Sequence, residues 1–229
     1  LEDIYVLEAG SRPKDISKHC TWHVTTQKVI EKGLRFNRGM NYGLMKLFDQ
    51  DLIKKYSSVL LLTNDTILLQ RNTVKNLESI FEKFPRLGLL SPCGVKWGER
   101  DLLGEKITKC VWHLNNSAYM LRTSFIEDIV NFDAKYDEDY FFEGSNFRGY
   151  LSEYSLIMKA YCNDWAVALT TKVLIEENED LLFKKYDFIN TENYDKNLLL
   201  YLDEGNKWLK RKYGLKSKWP LITLAKSSY

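Results

Sequence analysis

The sequence predicts an α/β domain built on a mostly parallel sheet with helices on both faces, followed by a helical C-terminal extension. Three observations carry this. Short apolar runs such as Val59–Leu62 and Leu87–Leu90 are bounded by polar residues, the mark of strands buried on both faces. Longer segments between such runs place apolar residues at helical spacing. The two kinds alternate as far as about residue 175, the pattern of crossover-connected strands.

Taken in order, Ile4–Leu7 is a first strand that ends in Glu8-Ala9-Gly10-Ser11, a strand-to-loop signal with an acid at the strand's end. Trp22–Ile30 contains the next strand. Phe36–Gly43 reads as a Gly/Asn-rich loop running into an amphipathic helix with Leu44, Leu47, Phe48, Leu52 and Ile53 on one side. The central strand Val59–Leu62 stops at Thr63-Asn64-Asp65-Thr66. Asn72-Thr73 caps a helix that Pro85 ends. Leu87–Leu90 is a strand, Pro92–Gly104 a loop and Lys109–Leu121 an aromatic strand. Thr123–Phe132 is helical, Asp133–Tyr150 an acid- and aromatic-rich loop, Glu153–Cys162 a helix and Ala166–Ile175 the last strand. The domain boundaries that follow are 1–176 for the α/β domain and 177–229 for the extension.

The totals narrow the class. A chain of 229 residues holds one large domain, or one domain with a tail. Its 45% hydrophobic and 28% charged residues suit a soluble globular protein, and a net charge of +2 gives no reason to expect nucleic acid. The cysteines (Cys20, Cys93, Cys110, Cys162) form no CxxC pair, which suits free thiols in a reducing compartment. His19 and His23 flank Cys20 without a further ligand cluster, so zinc is not expected. Nothing approaches about 18 consecutive apolar residues, and no signal peptide opens the chain. The expected location is cytoplasmic. Because the chain opens at Leu1 directly in a strand-like stretch, residues upstream are expected.

Asp65 carries the chemistry. An open α/β sheet places ligands at the carboxyl ends of its strands, where Asp65 stands. A carboxylate flanked by Asn64 and Thr66 is a hard oxygen donor for a divalent cation that also holds phosphate oxygens. The same four residues also make an Asx-type turn.

Four stretches recur in order: Leu7-Glu8-Ala9-Gly10-Ser11, Asn37-Arg38-Gly39-Met40-Asn41-Tyr42-Gly43, Thr63-Asn64-Asp65-Thr66 and Gly149-Tyr150-Leu151-Ser152-Glu153-Tyr154. In these the chain resembles the GT-A glycosyltransferases of family 2, especially the rhamnosyltransferase-like bacterial group, over residues 1 to about 176. The resemblance implies a Rossmann-like GT-A fold; the family's first strand, which normally precedes the Glu8 position, is absent here, so a truncated start is expected. The resemblance also implies an inverting transfer of a sugar from a UDP- or dTDP-linked donor to a glycan or glycolipid hydroxyl, in surface polysaccharide assembly. By the same resemblance Glu153 would be the catalytic base. Asp65 would hold Mn²⁺ or Mg²⁺, although Thr63 stands where the family has its first acid. Glu8, Asn37, Arg38, Asn41, Asn64, Trp112 and His113 would line the nucleotide-sugar site. Tyr154 replaces the family's second acid, and Ile175-Glu176-Glu177 stands where many relatives carry a metal-binding His. Rival bases lie in Asp137, Glu138, Asp139 and Glu143.

Each residue also has a plainer role. Glu8 can be a solvated loop acid, Asn37 an N-cap, Arg38 an exposed loop cation, Glu153 a first-turn Glu that favours the helix dipole, and Trp112-His113 a half-buried pair in a strand. The departures at Thr63 and Tyr154 keep open a catalytically inactive nucleotide-sugar-binding or scaffold subunit. A sugar-phosphate nucleotidyltransferase would need a Gly-rich, basic phosphate loop near the N-terminus, and none is visible. Between Lys207 and Lys226 the chain carries seven Lys and Arg and no acid, interleaved with Trp208, Tyr213, Trp219 and several Leu. Such a tail suits peripheral contact with the inner face of a membrane, or aromatics packed back on the domain with solvated cations. Pro220 is expected to split any helix there in two.

Overall fold

A computed structural model describes residues 3–96, 98–178 and 194–228. Its strands are β1 (Val6–Ala9), β2 (Cys20–Val24), β3 (Ser58–Leu62), β4 (Thr66–Leu68), β5 (Leu87–Gly94), β6 (Thr108–Cys110), β7 (Ala118–Arg122) and β8 (Ala166–Glu177). Its helices are α1 (Gln27–Lys32), α2 (Arg35–Asp49), α3 (Thr73–Lys83), α4 (Thr123–Ile129), α5 (Ser152–Cys162), α6 (Tyr194–Tyr213) and α7 (Trp219–Ser227).

The expected α/β architecture is present, but its central sheet is mixed rather than mostly parallel. β1 and β2 pair in parallel as a separate two-stranded sheet. The six other strands form one sheet in the order β3-β7-β5-β8-β4, with β6 also paired to β8. Within it β5 and β8 are parallel, while β7 lies antiparallel to both β3 and β5. The reason is the connection into β7. The chain reaches it from its neighbour β5 by way of a short 3-10 turn and β6, without the crossover helix that parallel neighbours require. β3, β5 and β8 still run the same way, so their carboxyl ends share one edge of the sheet.

Period-two alternation covers both faces of the sheet. Leu89, Leu121, Val167 and Leu169 pack with Leu44 and Leu47 of α2, Phe125 and Ile126 of α4 and Leu156 and Ile157 of α5. Leu90, Met120 and Ala168, one residue out of phase, pack with Leu77, Ile80 and Phe81 of α3. β5 is buried along its length, as expected of an inner strand. β3 is not: it lies at the edge of its sheet and is only half-buried. The apolar run was sufficient for a strand but not for its place.

Several segments differ from the sequence expectation: α2 ends at Asp49, so Leu52 and Ile53 lie beyond it, and β5 runs on through Pro92 to Gly94 before the expected loop begins. The Gly/Asn-rich stretch 36–43 is not a loop, because α2 begins at Arg35. Gly39 and Gly43 each cost about 1 kcal/mol relative to Ala in a helix. Burial of Leu44 and Leu47, and the hydrogen bonds of Asn37 and Asn41 described below, outweigh that cost. The stretch 109–121 is two strands, and Trp112 and His113 lie in the loop between them rather than on a strand.

The C-terminal extension packs on the α/β domain. Trp208 and Leu209 of α6 and Leu221 and Ala225 of α7 are buried against Tyr150, Leu151 and Tyr154. Gly205 permits the closest approach, since a Cβ there would meet the Tyr150 ring at 2.3 Å. Pro220 falls in the first turn of α7, where its missing N–H costs nothing. The part of the extension from 179 to 193 lies outside the described residues. Among the described residues no helix is long and apolar enough to cross a membrane.

Candidate active site

The turn before α5 aims Glu153 inward. Gly149 (φ 75°) and Leu151 (φ 57°) both take the left-handed conformation, and the helix starts at Ser152. Glu153 in its first turn is 8% exposed. Its carboxylate accepts a hydrogen bond from the Asn116 side chain, and His113 Nδ1 lies 3.9 Å from Oε1. The His113 ring stacks on Tyr154 at 5.5 Å between centroids, and Trp112 stacks on the same Tyr154 at 6.2 Å. Burial pushes the Glu153 carboxyl up to about 7, against the lowering effect of its hydrogen bonds. Desolvation also pushes His113 below its ordinary value, with less leverage since 52% of its side chain remains exposed. Both groups therefore lean towards their neutral forms.

The segment that brings His113 and Asn116 to Glu153 also holds the Asp65 turn. Ser117, next to Asn116, accepts hydrogen bonds at its carbonyl from Thr63 N (3.1 Å) and Thr66 Oγ1 (2.8 Å). Thr66 N closes the turn on Thr63 O at 3.2 Å. The Ser117 hydroxyl donates to Glu177, and Asn115 Nδ2 donates to Glu177 Oε1 at 3.3 Å. Glu177 stands opposite Thr66 in the β4–β8 register, and Asn178 N donates to the Asp65 carbonyl at 2.7 Å. Asp65, Ser117 and Glu177 thus meet at the carboxyl edge of β3 and β8, where open α/β sheets receive ligands.

Asp65 is half-buried, and its carboxylate takes no hydrogen bond or ion pair from any described residue. Asn64 beside it is exposed. Glu177 is committed to Ser117 and Asn115, and Glu176 pairs with Lys96 at 2.5 Å. Among the described residues no three His, Cys, Asp or Glu gather as a metal-binding group. One unengaged carboxylate still suits Mg²⁺ or Mn²⁺ when phosphate oxygens and water complete the shell.

The other predicted residues are placed elsewhere. The Glu8 carboxylate accepts from Ser11 Oγ (2.6 Å) and Ser17 N (3.3 Å) and so braces the loop after β1. Asn37, Arg38 and Asn41 sit on α2 facing the 136–144 loop. Asn37 Nδ2 donates to Glu143 O at 2.9 Å, and Arg38 Nε donates to Gly144 O at 2.7 Å. Fully buried Asn41 donates to Tyr136 O (3.1 Å) and Phe142 O (2.9 Å) and accepts from Phe141 N (3.3 Å) and Phe142 N (2.8 Å). These contacts clamp a loop and use up the Asn41 amide.

The rival carboxylates are each engaged. Asp137 pairs with Lys28 at 3.3 Å, and Glu138 accepts the backbone N–H of Lys135 at 2.9 Å. Lys212 of α6 pairs with Asp139 at 2.7 Å and with buried Glu143, and Lys159 pairs with Asp139 as well. Burial would raise Asp139, but these two cations outweigh it and hold its carboxyl below the usual range. Sequence reasoning missed Asn116, Ser117 and Lys212. The run Asn115-Asn116-Ser117 inside an aromatic stretch is itself a turn signal; Lys212 had no local signal.

No protein-family model, curated protein or solved structure matches this chain.

Proposed function

We propose that the chain is a GT-A-type inverting glycosyltransferase of the family 2 kind, transferring a sugar from a nucleotide-diphosphate donor to a hydroxyl of a glycan or glycolipid. One observation carries this reading. A desolvated carboxyl at Glu153 and an unengaged carboxylate at Asp65 are joined through the single segment His113–Ser117 at the carboxyl edge of the sheet. The first is poised as a general base near neutral pH; the second can take a cation on the donor diphosphate.

In the proposed reaction the acceptor oxygen attacks the anomeric carbon from the face opposite the diphosphate. The new C–O bond forms as the bond to the diphosphate oxygen breaks, and Glu153 takes the hydroxyl proton. Trp112 offers an aromatic face to sugar C–H groups, and His113 a ring nitrogen to a sugar hydroxyl. Mg²⁺ or Mn²⁺ on Asp65 would supply charge neutralisation for the departing diphosphate.

The test is incubation of the chain with labelled UDP- and dTDP-sugars, with release of nucleoside diphosphate as the readout. Release that needs Glu153 supports the reading; no release from any donor that binds would sink it. A non-catalytic nucleotide-sugar-binding subunit is the second reading, favoured by Tyr154 stacked on His113 in place of a second acid. It expects thermal stabilisation by a donor without turnover.

A further inference from the structure

We propose that the outward face of α7 seats on an anionic lipid surface. From Gly205 to Ser228 the chain carries no Asp or Glu, so its cations must be matched elsewhere. Two of them are: Lys212 by Asp139 and Glu143, and Lys207 by Asp203 at 2.7 Å. Lys210, Arg211, Lys216, Lys218 and Lys226 are exposed and have no carboxylate partner among the described residues.

The structure also sorts the apolar residues of the tail. Leu221 and Ala225, four apart, turn into the cluster on α5 and are fully buried. Trp219 and Leu224 turn away and remain 65% and 54% exposed. Lys218 Nζ lies 5.2 Å from the centre of the Trp219 ring. A single exposed aromatic is ordinary on a protein surface. An exposed Trp and Leu on one short helix, ringed by unmatched lysines with no acid in the segment, have the chemistry of a headgroup layer. The indole sits at the interface, the leucine reaches the acyl boundary and the ammonium groups meet lipid phosphates. Charge complementarity thus selects an anionic bilayer as the occupant.

The position of α7 gives this surface a consequence. α7 packs on α5, whose first turn holds Glu153, and Lys226 Nζ lies 5.9 Å from the Trp112 ring centre. A bilayer against α7 would therefore border the candidate site, whatever reaction is run there.

The experiment is co-sedimentation of the full chain with phosphatidylserine/phosphatidylcholine vesicles and with pure phosphatidylcholine vesicles, at low and high salt. Binding is expected for the anionic vesicles at low salt and should fall with salt. Replacing both Lys216 and Lys218 by Gln should weaken partitioning by roughly fivefold per lysine. Trp219→Ser should weaken it with an unchanged melting temperature, and the blue shift of tryptophan emission on vesicle addition should disappear. No binding to anionic vesicles at low salt, equal binding to neutral ones, or undiminished binding of Trp219→Ser would each overturn the proposal. Retention on RNA or an acidic protein without vesicle binding would reassign the surface and overturn it too.

Discussion

His113 Nδ1 and Glu153 Oε1 stand 3.9 Å apart, too far for a hydrogen bond, in surroundings that disfavour charge on both. If Glu153 is the base, only its ionised form can act, and its carboxyl titrates at about 7. Turnover should therefore rise with pH through about 7 and level off above. Glu153→Gln should lower kcat by about 10²–10⁴-fold with little change in donor affinity. A pH profile flat across neutrality, or normal turnover by that variant with Asp139 essential instead, would refute the assignment.

The same group makes stability depend on pH. The Glu153 carboxyl rises from an ordinary 4.5 to about 7 on folding. Between these values the folded chain holds a proton that the unfolded chain has lost. The contribution is therefore complete below 4.5 and is lost as pH rises through about 7. Its full size is on the order of 3 kcal/mol. Glu153→Gln removes this dependence, so its melting temperature should gain on the wild type as pH rises from 4.5 to about 7 and hold that gain above. A constant difference would show that Glu153 is not desolvated as described.

Asp65→Asn should separate metal binding from folding. The carboxylate has no partner among the described residues, so its loss should shift stability by no more than about 0.5 kcal/mol. The amide lacks the charge a divalent cation needs, so Mn²⁺ binding in the presence of a nucleoside diphosphate should disappear in calorimetry. Mn²⁺ binding equal to wild type would place any metal elsewhere.

Asn41→Ala should be among the most damaging single substitutions. It strands the backbone groups of Phe142 in a buried place and the carbonyl of Tyr136 in a part-buried one. A loss of about 2–4 kcal/mol is expected in denaturant unfolding. If the residue instead served only a ligand, stability would hardly change and donor binding alone would suffer.

Much of the fold was legible because its signals are local. β5, α3 and α5 follow from apolar spacing and from the Asn72-Thr73 and Pro85 boundaries. What was not legible depends on distant partners. The edge position of β3 depends on which strand lies beside it, and the helical state of 36–43 on backbone groups some 100 residues away that bond to Asn37 and Asn41. At the candidate site, Asp65 was visible as an acid at a strand end. The desolvation of Glu153 was not, since its burial follows from the left-handed turn at Leu151 that starts α5 and from packing no local pattern announces.

The ion pair of Lys212 with Glu143 has a consequence for synthesis. The sheet edge that holds Asp65 is complete once β8 has been made. The 136–144 loop must wait: its acids gain their second anchor only after a further stretch of chain has left the ribosome and folded as α6. Until then Glu143 has, among the described residues, only the Ser145 hydroxyl and N–H against its charge, and burying a carboxylate without a cation costs several kcal/mol. A chain that has emerged only as far as β8 thus has the strands of its sheet, while the 136–144 loop still lacks the anchor that Lys212 gives it.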